Sequence, residues 1–203
     1  MKKFITSDWH LGDNRFQRLR RHGFSTEIDM VDHFVEIHNS VVSPDDLVIH
    51  VGDVQFDKAE NNWLEHVSRF NGNKILIRGN HDRIYSDDDF RPYFVEIVEE
   101  GDGMEINLDG IECWATHHPS CSRINKFNLV GHIHDLWKVQ LNMLNVGVDV
   151  NHYSVDMATI PLLHEYICNH FDSDVYSAYH PCNSRYCGIR GTRKAYFKHS
   201  DEY

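Results

Sequence analysis

Short apolar runs alternate with amphipathic segments in the first part of the chain. The runs Lys3–Thr6, Leu47–Val51 and Lys74–Ile77 are nearly continuous in apolar residues, which is typical of strands buried in a parallel sheet. Thr26–Ser40 and Glu60–Phe70 instead repeat apolar residues at intervals close to 3.6, which predicts amphipathic helices. Strands that alternate with helices in this way predict a parallel sheet with right-handed crossovers and helices on its faces.

The pattern changes to alternation further along the chain. Met104–Leu108 and Ile111–Ala115 flank Asp109-Gly110, a dipeptide that favours a two-residue turn, so a β-hairpin is predicted. The remaining predicted elements are strands at Asn128–Val130 and Asn145–Val150 and a short helix at Pro161–His170.

Hydrophobic periodicity fades from about Phe171, where tyrosine, arginine, lysine and serine become common. We therefore predict one domain over residues 1–170 and a C-terminal extension over residues 171–203. The aromatic residues of the extension suit packing on the domain or on a second subunit of a homodimer. Zinc binding is the alternative for this segment, through His180, Cys182, Cys187 and His199.

The predicted strands of the first group each end in residues that can bind metals. Asp8 and His10 follow the first strand, Asp53 follows the second, and Asn80 and His81 follow the third. Residues two apart on extended backbone point to the same side, so Asp8 and His10 suit one divalent ion, although a polar loop would have the same sequence. Ligands of open α/β sheets bind outside the carboxyl ends of the strands, which is where these side chains are expected.

The most informative strand end is Gly79-Asn80-His81-Asp82. Gly79 suits a sharp exit from the sheet, because glycine adopts backbone angles that other residues avoid. We expect Asp82 to hydrogen-bond one ring nitrogen of His81 and so to fix the tautomer that faces a substrate.

A basic stretch follows the first strand, with arginines at positions 15, 18, 20 and 21. A solvated loop or helix is one interpretation, and contact with phosphate is the other, because the stretch begins beside the expected site. Asn14, Arg15 and Arg21 are therefore candidate substrate-binding residues.

Composition limits the kinds of molecule that the protein is expected to bind. The formal net charge is −11, from 31 acidic and 20 basic residues among 203, which argues against binding to long nucleic acid or to anionic membranes. The sequence has neither a run of about 18 apolar residues nor the apolar region of a signal peptide. Five scattered cysteines favour reduced thiols, and together these features predict a cytoplasmic protein.

The ordered set of polar strand ends resembles the calcineurin-like metallophosphoesterases, especially their small, compact bacterial and phage members. The resemblance runs from about Lys3 to Asp149. It implies an α/β fold, a four-layer α-β-β-α sandwich of mixed sheets flanked by helices, that holds two metal ions. The five blocks that carry the resemblance are Asp8-Trp9-His10, Gly52-Asp53, Gly79-Asn80-His81-Asp82, His117 and Gly131-His132-Ile133-His134.

The resemblance also implies a ligand set. Relatives have one histidine in the fourth block, and we assign it to His117 because His118 takes the place of the variable residue before Pro119. The preferred ion is Mn²⁺, with Fe, Zn, Ni and Mg as alternatives. The implied ligands are Asp8, His10 and His134 for one ion and Asn80, His117 and His132 for the other, with Asp53 bridging the two.

The activity implied by the resemblance is hydrolysis of a phosphate ester. Two ions about 3.5–4 Å apart would generate a bridging hydroxide that attacks phosphorus in line with the leaving oxygen. His81 is not a ligand in this family and would stabilise the phosphoryl group or protonate the leaving oxygen, with Asp82 orienting it. His81 and Asp82 are thus the candidate catalytic residues.

The substrate class is less defined by the sequence. The acidic surface and short loops between the motifs favour a small, nucleotide-like substrate, with a phosphodiesterase slightly preferred over a phosphomonoesterase or nucleotidase. A noncatalytic scaffold that keeps the fold is the rival from another class, but such proteins typically lose ligands or the catalytic histidine. A structural zinc protein fits poorly, because structural zinc sites favour cysteine clusters.

Overall fold

The computed structural model describes residues 1–15, 21, 23–59, 61–151 and 154–170, with side chains up to residue 168. Arg18, Arg20 and the predicted extension over residues 171–203, with its proposed packing and zinc-binding roles, lie outside the described residues. Within the described ranges, none of the helices has the length and apolar character needed to cross a membrane.

The described strands form two five-stranded sheets, with orders β10-β1-β2-β3-β4 and β5-β6-β7-β9-β8. In chain order the strands are β1 (Lys3–Thr6), β2 (Leu47–His50), β3 (Asn73–Ile77), β4 (Glu96–Val98), β5 (Met104–Leu108), β6 (Ile111–Thr116), β7 (Phe127–Val130), β8 (Val139–Gln140), β9 (Met143–Asn145) and β10 (Val155–Asp156).

The first sheet is parallel from β1 to β4, as the alternation of strands and helices predicts, and β10 pairs antiparallel with β1 at its edge. Thr6, His50 and Leu76 lie side by side in this register. The polar residues that follow β1, β2 and β3 therefore leave the sheet at one edge.

The second sheet begins with the predicted hairpin, which is confirmed. Asp109 and Gly110 have φ angles of 52° and 89°, which match the two left-handed positions of a type I′ turn. The neighbouring strands β6, β7 and β9 are parallel, and Thr116 pairs with Val130. The fourth and fifth motif blocks consequently leave this sheet side by side.

Helices pack against the sheets. Thr26 caps the first helix through a reciprocal bond pair with Asp29, as expected of a capping box. The helices are α1 (Glu27–Val41), α2 (Asp87–Phe90), α3 (Val148–Asn151) and α4 (Ile160–His170), with 3₁₀ segments at Leu64–Arg69, Asn80–Ile84, Pro119–Cys121 and Met157–Thr159.

Two apolar clusters hold these layers together. One joins the facing sheets, with Ile5 and Ile49 of the first sheet packed in the same cluster as Phe127 and Leu129 of the second. The other packs α1 against the opposite face of the first sheet, where Trp9, Met30 and Leu76 are buried. This mixed α/β sandwich of two sheets with flanking helices confirms the predicted fold class.

Two predicted elements are wrong in extent. The helix predicted at Glu60–Phe70 is a 3₁₀ segment at Leu64–Arg69, and Glu60 lies outside the described residues. The strand predicted at Asn145–Val150 ends at Asn145, whose side-chain oxygen accepts from the Gly147 N–H at 2.8 Å. Because this bond turns the chain, the segment continues as the single helical turn α3.

Candidate metal centre

The seven predicted metal ligands lie close together, where the carboxyl ends of strands from both sheets meet. Backbone bonds join the motif blocks to one another: the Asp8 N–H donates to the Gly52 carbonyl, and the Gly131 N–H donates to the His117 carbonyl. The Asp8 carboxylate accepts from the His132 N–H, with both oxygens at 3.0 Å, and so links the first block to the last. The site is thus assembled from distant parts of the sequence.

The backbone is strained at most of these ligands. Left-handed φ angles are rare for residues with a Cβ and cost on the order of 1–3 kcal/mol where the surroundings enforce them. Outside the centre, Asp109 and Leu141 are the other non-glycine residues with positive φ in the described part of the chain. Those within it are Asp8 (62°), His10 (47°), Asp53 (58°), His132 (74°) and His134 (48°).

Side chains of types that can bind metals form three overlapping groups, each with its potential ligand atoms within 4.8 Å of one another. Two of these groups match the ligand sets implied by the sequence, and the third brings His81 close to His10 and Asp53. The groups are Asp8, His10 and His134; Asp53, His117 and His132; and His10, Asp53 and His81.

Asp53 is a member of the second group and also faces the first. Its Oδ2 is 3.4 Å from His10 Nε2 and 3.2 Å from His117 Nε2. Its Oδ1 accepts from the His81 N–H at 2.9 Å, which fixes the carboxylate plane. This central position is the one that a ligand shared between two ions requires.

Asn80 joins the second group through its amide oxygen. Asn80 Oδ1 is 2.8 Å from His132 Nδ1 and 3.2 Å from His117 Nε2. An oxygen and two imidazole nitrogens that converge on one point are a donor set suited to a divalent transition metal.

Outer contacts direct the ring nitrogens of two ligands towards the centre. His117 Nδ1 lies 2.7 Å from the Val51 carbonyl and donates to it, which leaves Nε2 for an ion. His134 Nδ1 is 2.7 Å from Asp149 Oδ2, which likewise leaves its Nε2. Histidine ligands of metals almost always have such a partner on the other nitrogen.

His10 supplies an independent test of whether an ion fits. The residue is 1% exposed, and neither ring nitrogen makes a well-oriented hydrogen bond among the described residues; Nε2 lies 3.4 Å from Asp53 Oδ2. Buried polar atoms rarely lack a well-oriented partner, so this imidazole, among carboxylates and other imidazoles, fits a metal ligand. The residues present therefore suit divalent ions.

Burial and neighbouring charges shift the pKa values of residues in the centre, some upwards and some downwards. Despite burial, the neighbouring Asp53 carboxylate raises the pKa of His117 to about 10. Burial also opposes ionisation of Asp53, but His117 and His10 hold its pKa well below the usual value. The pKa of His132 is lowered by burial and by His117. These shifts favour an ionised Asp53 carboxylate beside a protonated His117.

The expectation that Asp82 contacts the ring of His81 is wrong. The buried Asp82 carboxylate accepts from the backbone N–H groups of Asp53 (2.8 Å), Gly79 (2.8 Å) and Val54 (3.0 Å). Its role is therefore to hold two motif loops together. Burial and the Asp53 charge raise the pKa of Asp82 to about 7, against the effect of these donors.

The ring partner of His81 is Asp57. Its Oδ1 lies 2.8 Å from His81 Nδ1, and the two side chains are 27% and 23% exposed. Sequence reasoning missed Asp57, although it lies four residues beyond Asp53 in the same loop after β2. The dyad leaves His81 Nε2 to face a substrate at the edge of the centre.

The role expected of Arg21 is also corrected. Its side chain is 3% exposed and pairs with Asp149, with Nε 2.7 Å from Oδ1. It also donates to the backbone carbonyls of Asp8 and Trp9. A guanidinium occupied on all sides in this way is not available to a substrate.

Arg15 and Asn14, in contrast, lie at the surface, and Arg15 is close to a ring that neighbours His81. Asn14 is exposed, and the Arg15 guanidinium is 33% exposed and pairs with Asp13 at 2.7 Å. The same guanidinium lies 3.8 Å from the ring centroid of Phe56, and that ring is 5.5 Å from the ring of His81.

The structure distinguishes His117 from His118. His117 is 2% exposed and belongs to the ligand group around Asp53. The His118 ring lies 4.2 Å from that of His132, and its Nδ1 accepts from the Ser120 N–H at 3.1 Å. His118 therefore lies beside the centre without joining its ligand groups.

Gly79 is required for a different reason from the one expected. Its φ of −100° and ψ of −179° are ordinary extended values that any residue adopts. A Cβ at this position, however, would collide with the Asp53 carboxylate and backbone nitrogen. The glycine permits close approach of two motif loops rather than an unusual turn.

Comparisons with known proteins agree with this geometry. The family model described as calcineurin-like phosphoesterase matches residues 1–185. The crystal structure of the protein of unknown function AQ665 from Aquifex aeolicus has a TM-score of 0.60 and 20% identity, and the match covers 80% of this chain and 98% of that chain. This likeness supports the sandwich fold. A search of curated proteins gave no match.

The fold, the ligand groups and the family match together define a metallophosphoesterase. The chain belongs to the calcineurin-like phosphoesterase family.

Proposed function

We propose that this protein is a phosphoesterase with two divalent ions, which hydrolyses a phosphate ester of a small, nucleotide-like substrate. The observation that carries the proposal is the central position of Asp53, whose Oδ2 faces one histidine of each ligand group at 3.2 and 3.4 Å. A carboxylate shared in this way suits a pair of ions. Mn²⁺ is the preferred ion, because the donors are imidazole, carboxylate and amide oxygen without thiolate.

When bound, two such ions polarise phosphoryl oxygens and supply hydroxide for in-line attack at neutral pH. The protein's own residues define how a substrate approaches. The buried floor of the centre consists of Asp8, His10, Asp53 and His117. Three other histidines are only half-buried, namely His81, His132 and His134. A phosphate group can therefore reach the centre from the side of the half-buried histidines.

The His81–Asp57 dyad is proposed as the general acid. Asp57 orients the imidazole through Nδ1, which places the Nε2–H towards a leaving oxygen. The His81 ring centroid is 4.9 Å from that of His10, so the proton donor lies beside the ligand groups. In this proposal Asp82 contributes to catalysis only by holding the loops that carry Asp53 and His81.

Arg15 is proposed to contact the phosphate or a second anionic group of the substrate, with Asn14 beside it. Its partner Asp13 and the Phe56 ring fix the guanidinium in one place while leaving it a third exposed. A fixed arginine offers paired N–H donors that match phosphate oxygens. A guanidinium near the general acid favours a compact anionic substrate.

Hydrolysis of bis-p-nitrophenyl phosphate and p-nitrophenyl phosphate, measured side by side with Mn²⁺ and then with chelator, tests the proposal. We expect turnover that the chelator abolishes, with the diester preferred slightly over the monoester. Preference for the monoester would favour the phosphomonoesterase or nucleotidase alternative. Absence of turnover of either ester with Mn²⁺, Fe²⁺, Zn²⁺, Ni²⁺ or Mg²⁺ would favour the noncatalytic scaffold.

A further inference from the structure

Arg21 and Asp149 form a buried ion pair that neither the ligand set nor the His81–Asp57 dyad includes. Their side chains are 3% and 5% exposed, and two bonds of 2.7 and 3.0 Å join the guanidinium to the carboxylate. Burial of two charges has a large desolvation cost, so such a pair is weak evidence of a contribution to stability alone. A role in positioning is the alternative.

The pair touches both ends of the Asp8–His10–His134 group. The Arg21 guanidinium donates to the carbonyls of Asp8 and Trp9, the second at 2.9 Å, and so holds the backbone between two ligands. Asp149 Oδ2 is 2.7 Å from His134 Nδ1 and so holds the third. One ion pair therefore connects residues that are 128 positions apart in the sequence.

The backbone segments joined by this pair are the strained ones. Asp8, His10 and His134 all have left-handed φ angles, between 47° and 62°. Such conformations persist only where surrounding contacts over-determine them. Asp149 is itself fixed in place, because the Val148 N–H at the start of α3 donates to the Ser7 carbonyl at 3.2 Å.

We propose that Arg21 and Asp149 are positioning residues that hold the Asp8–His10–His134 group in its ion-binding arrangement before an ion arrives. They thereby set the affinity of that half of the centre. The inference rests on the two-ion centre proposed above. Loss of an outer partner of a metal-binding histidine typically weakens metal affinity about 10–100-fold. We expect a loss of this size for one ion only.

The test is calorimetric titration of the full-length, metal-free chain with Mn²⁺, in the absence of any phosphate ester. In Asp149→Asn, one ion should bind about 10–100-fold more weakly, while the other keeps its wild-type affinity. Because a lone buried guanidinium could unfold this variant, the charge-neutral double variant Arg21→Gln/Asp149→Asn is measured beside it. Circular dichroism melting reports whether each variant is folded.

A matched control comes from an exposed pair. Arg69 and Asp32 are joined at 2.6 Å, with side chains 37% and 56% exposed. Asp32→Asn removes a similar ion pair away from the centre and should leave both Mn²⁺ affinities unchanged.

A second measurement separates positioning from general stability. If Asp149 acts through His134, then Asp149→Asn should have little further effect on Mn²⁺ affinity in a His134→Gln background. The inference is overturned if Asp149→Asn leaves both affinities unchanged, weakens both equally, or causes its full loss in the His134→Gln background.

The ester assay remains a separate test of the proposed function. A wild-type chain that binds two ions but hydrolyses neither ester would contradict the proposed activity while leaving this inference intact. A wild-type chain that does not bind two ions would overturn both.

Discussion

The two halves of the metal centre are held in place by different means. The Asp8–His10–His134 half depends on a buried ion pair, Arg21–Asp149, which reaches it from two distant segments. The Asn80–His117–His132 half depends on a backbone carbonyl, that of Val51, and on the Asn80 side chain. The first half is thus fixed by a buried ion pair, and the second by uncharged contacts together with the pairing of β6 and β7.

This difference between the halves shows that neighbouring parts of one site can depend on different features of the fold. Because Thr116 pairs with Val130, the residues that follow them are brought together by the register of two adjacent strands. Among the described residues, Arg21 and Asp149 are instead joined through their side chains. We therefore expect substitutions to affect the halves separately, except at the residue that they share.

The largest effect is expected at that shared residue. Asp53→Ala removes the carboxylate that lies between His10 and His117, so both halves should lose Mn²⁺ affinity by more than about 100-fold, the upper end for loss of an outer partner alone. Hydrolysis should fall with it. Titration of the metal-free variant checks this, and loss of one ion with the other unchanged would contradict a shared role.

His81→Ala should separate chemistry from metal binding. His81 belongs to neither half as a proposed ligand, so both ions should bind as in the wild type. Turnover should fall about 10²–10⁴-fold, the usual contribution of a general acid. Ester hydrolysis and Mn²⁺ titration on the same preparation check this prediction, and wild-type turnover would exclude the proposed role.

Asp57→Asn and Asp82→Asn should have contrasting effects. Asp57→Asn removes the charge that orients His81, so turnover should fall, by no more than the 10²–10⁴-fold expected for His81→Ala, with little change in stability. Asp82→Asn keeps one acceptor oxygen and replaces the other with an NH₂ donor, so at least one of the three buried N–H groups loses its acceptor, at about 1–3 kcal/mol. Denaturant unfolding and ester hydrolysis distinguish the two. The reverse pattern would restore Asp82 as the partner of His81.

The smallest effect on metal binding and turnover is expected at His38, which touches neither half. Its ring is buried between the Ser154 hydroxyl and the Asn71 carbonyl, and burial lowers its pKa to about 4. In the unfolded chain this histidine binds a proton near pH 6.5, whereas in the folded chain it does so only near pH 4. The free energy of unfolding should therefore decrease as the pH falls from 6.5 towards 4. The slope from this group is at most about 1.4 kcal/mol per pH unit.

His38→Gln should make the stability curve flatter between pH 6.5 and 4. Urea unfolding of wild type and variant across this range measures the difference. An unchanged slope would show that other buried histidines account for the acid sensitivity.

Sequence reasoning reached the parts of this molecule that depend on local pattern. The polar ends of β1, β2 and β3 and the Asp109-Gly110 hairpin follow from periodicity and turn chemistry, and the structure confirms them. The ordered motif blocks also indicated which side chains the fold brings together.

Most of the errors arose where contacts between distant parts of the sequence determine the position of a side chain. Asp82 and Asp57 are both acidic residues near His81 in sequence or space, and only the fold shows which of them faces the ring. Arg21 looked like a surface cation because its partner, Asp149, lies 128 residues away. The strand predicted through Val150 is a different case, because it fails on a local contact: the Asn145 side-chain oxygen accepts from the backbone N–H two residues on.

The central claim is that phosphate-ester hydrolysis requires two ions held around Asp53. Its most direct test is to titrate the metal-free chain with Mn²⁺ while bound ions per chain and bis-p-nitrophenyl phosphate turnover are measured on the same samples. We predict that turnover appears as the second ion binds and disappears on chelation. Full turnover with one ion per chain, or turnover that survives chelation, would contradict the account.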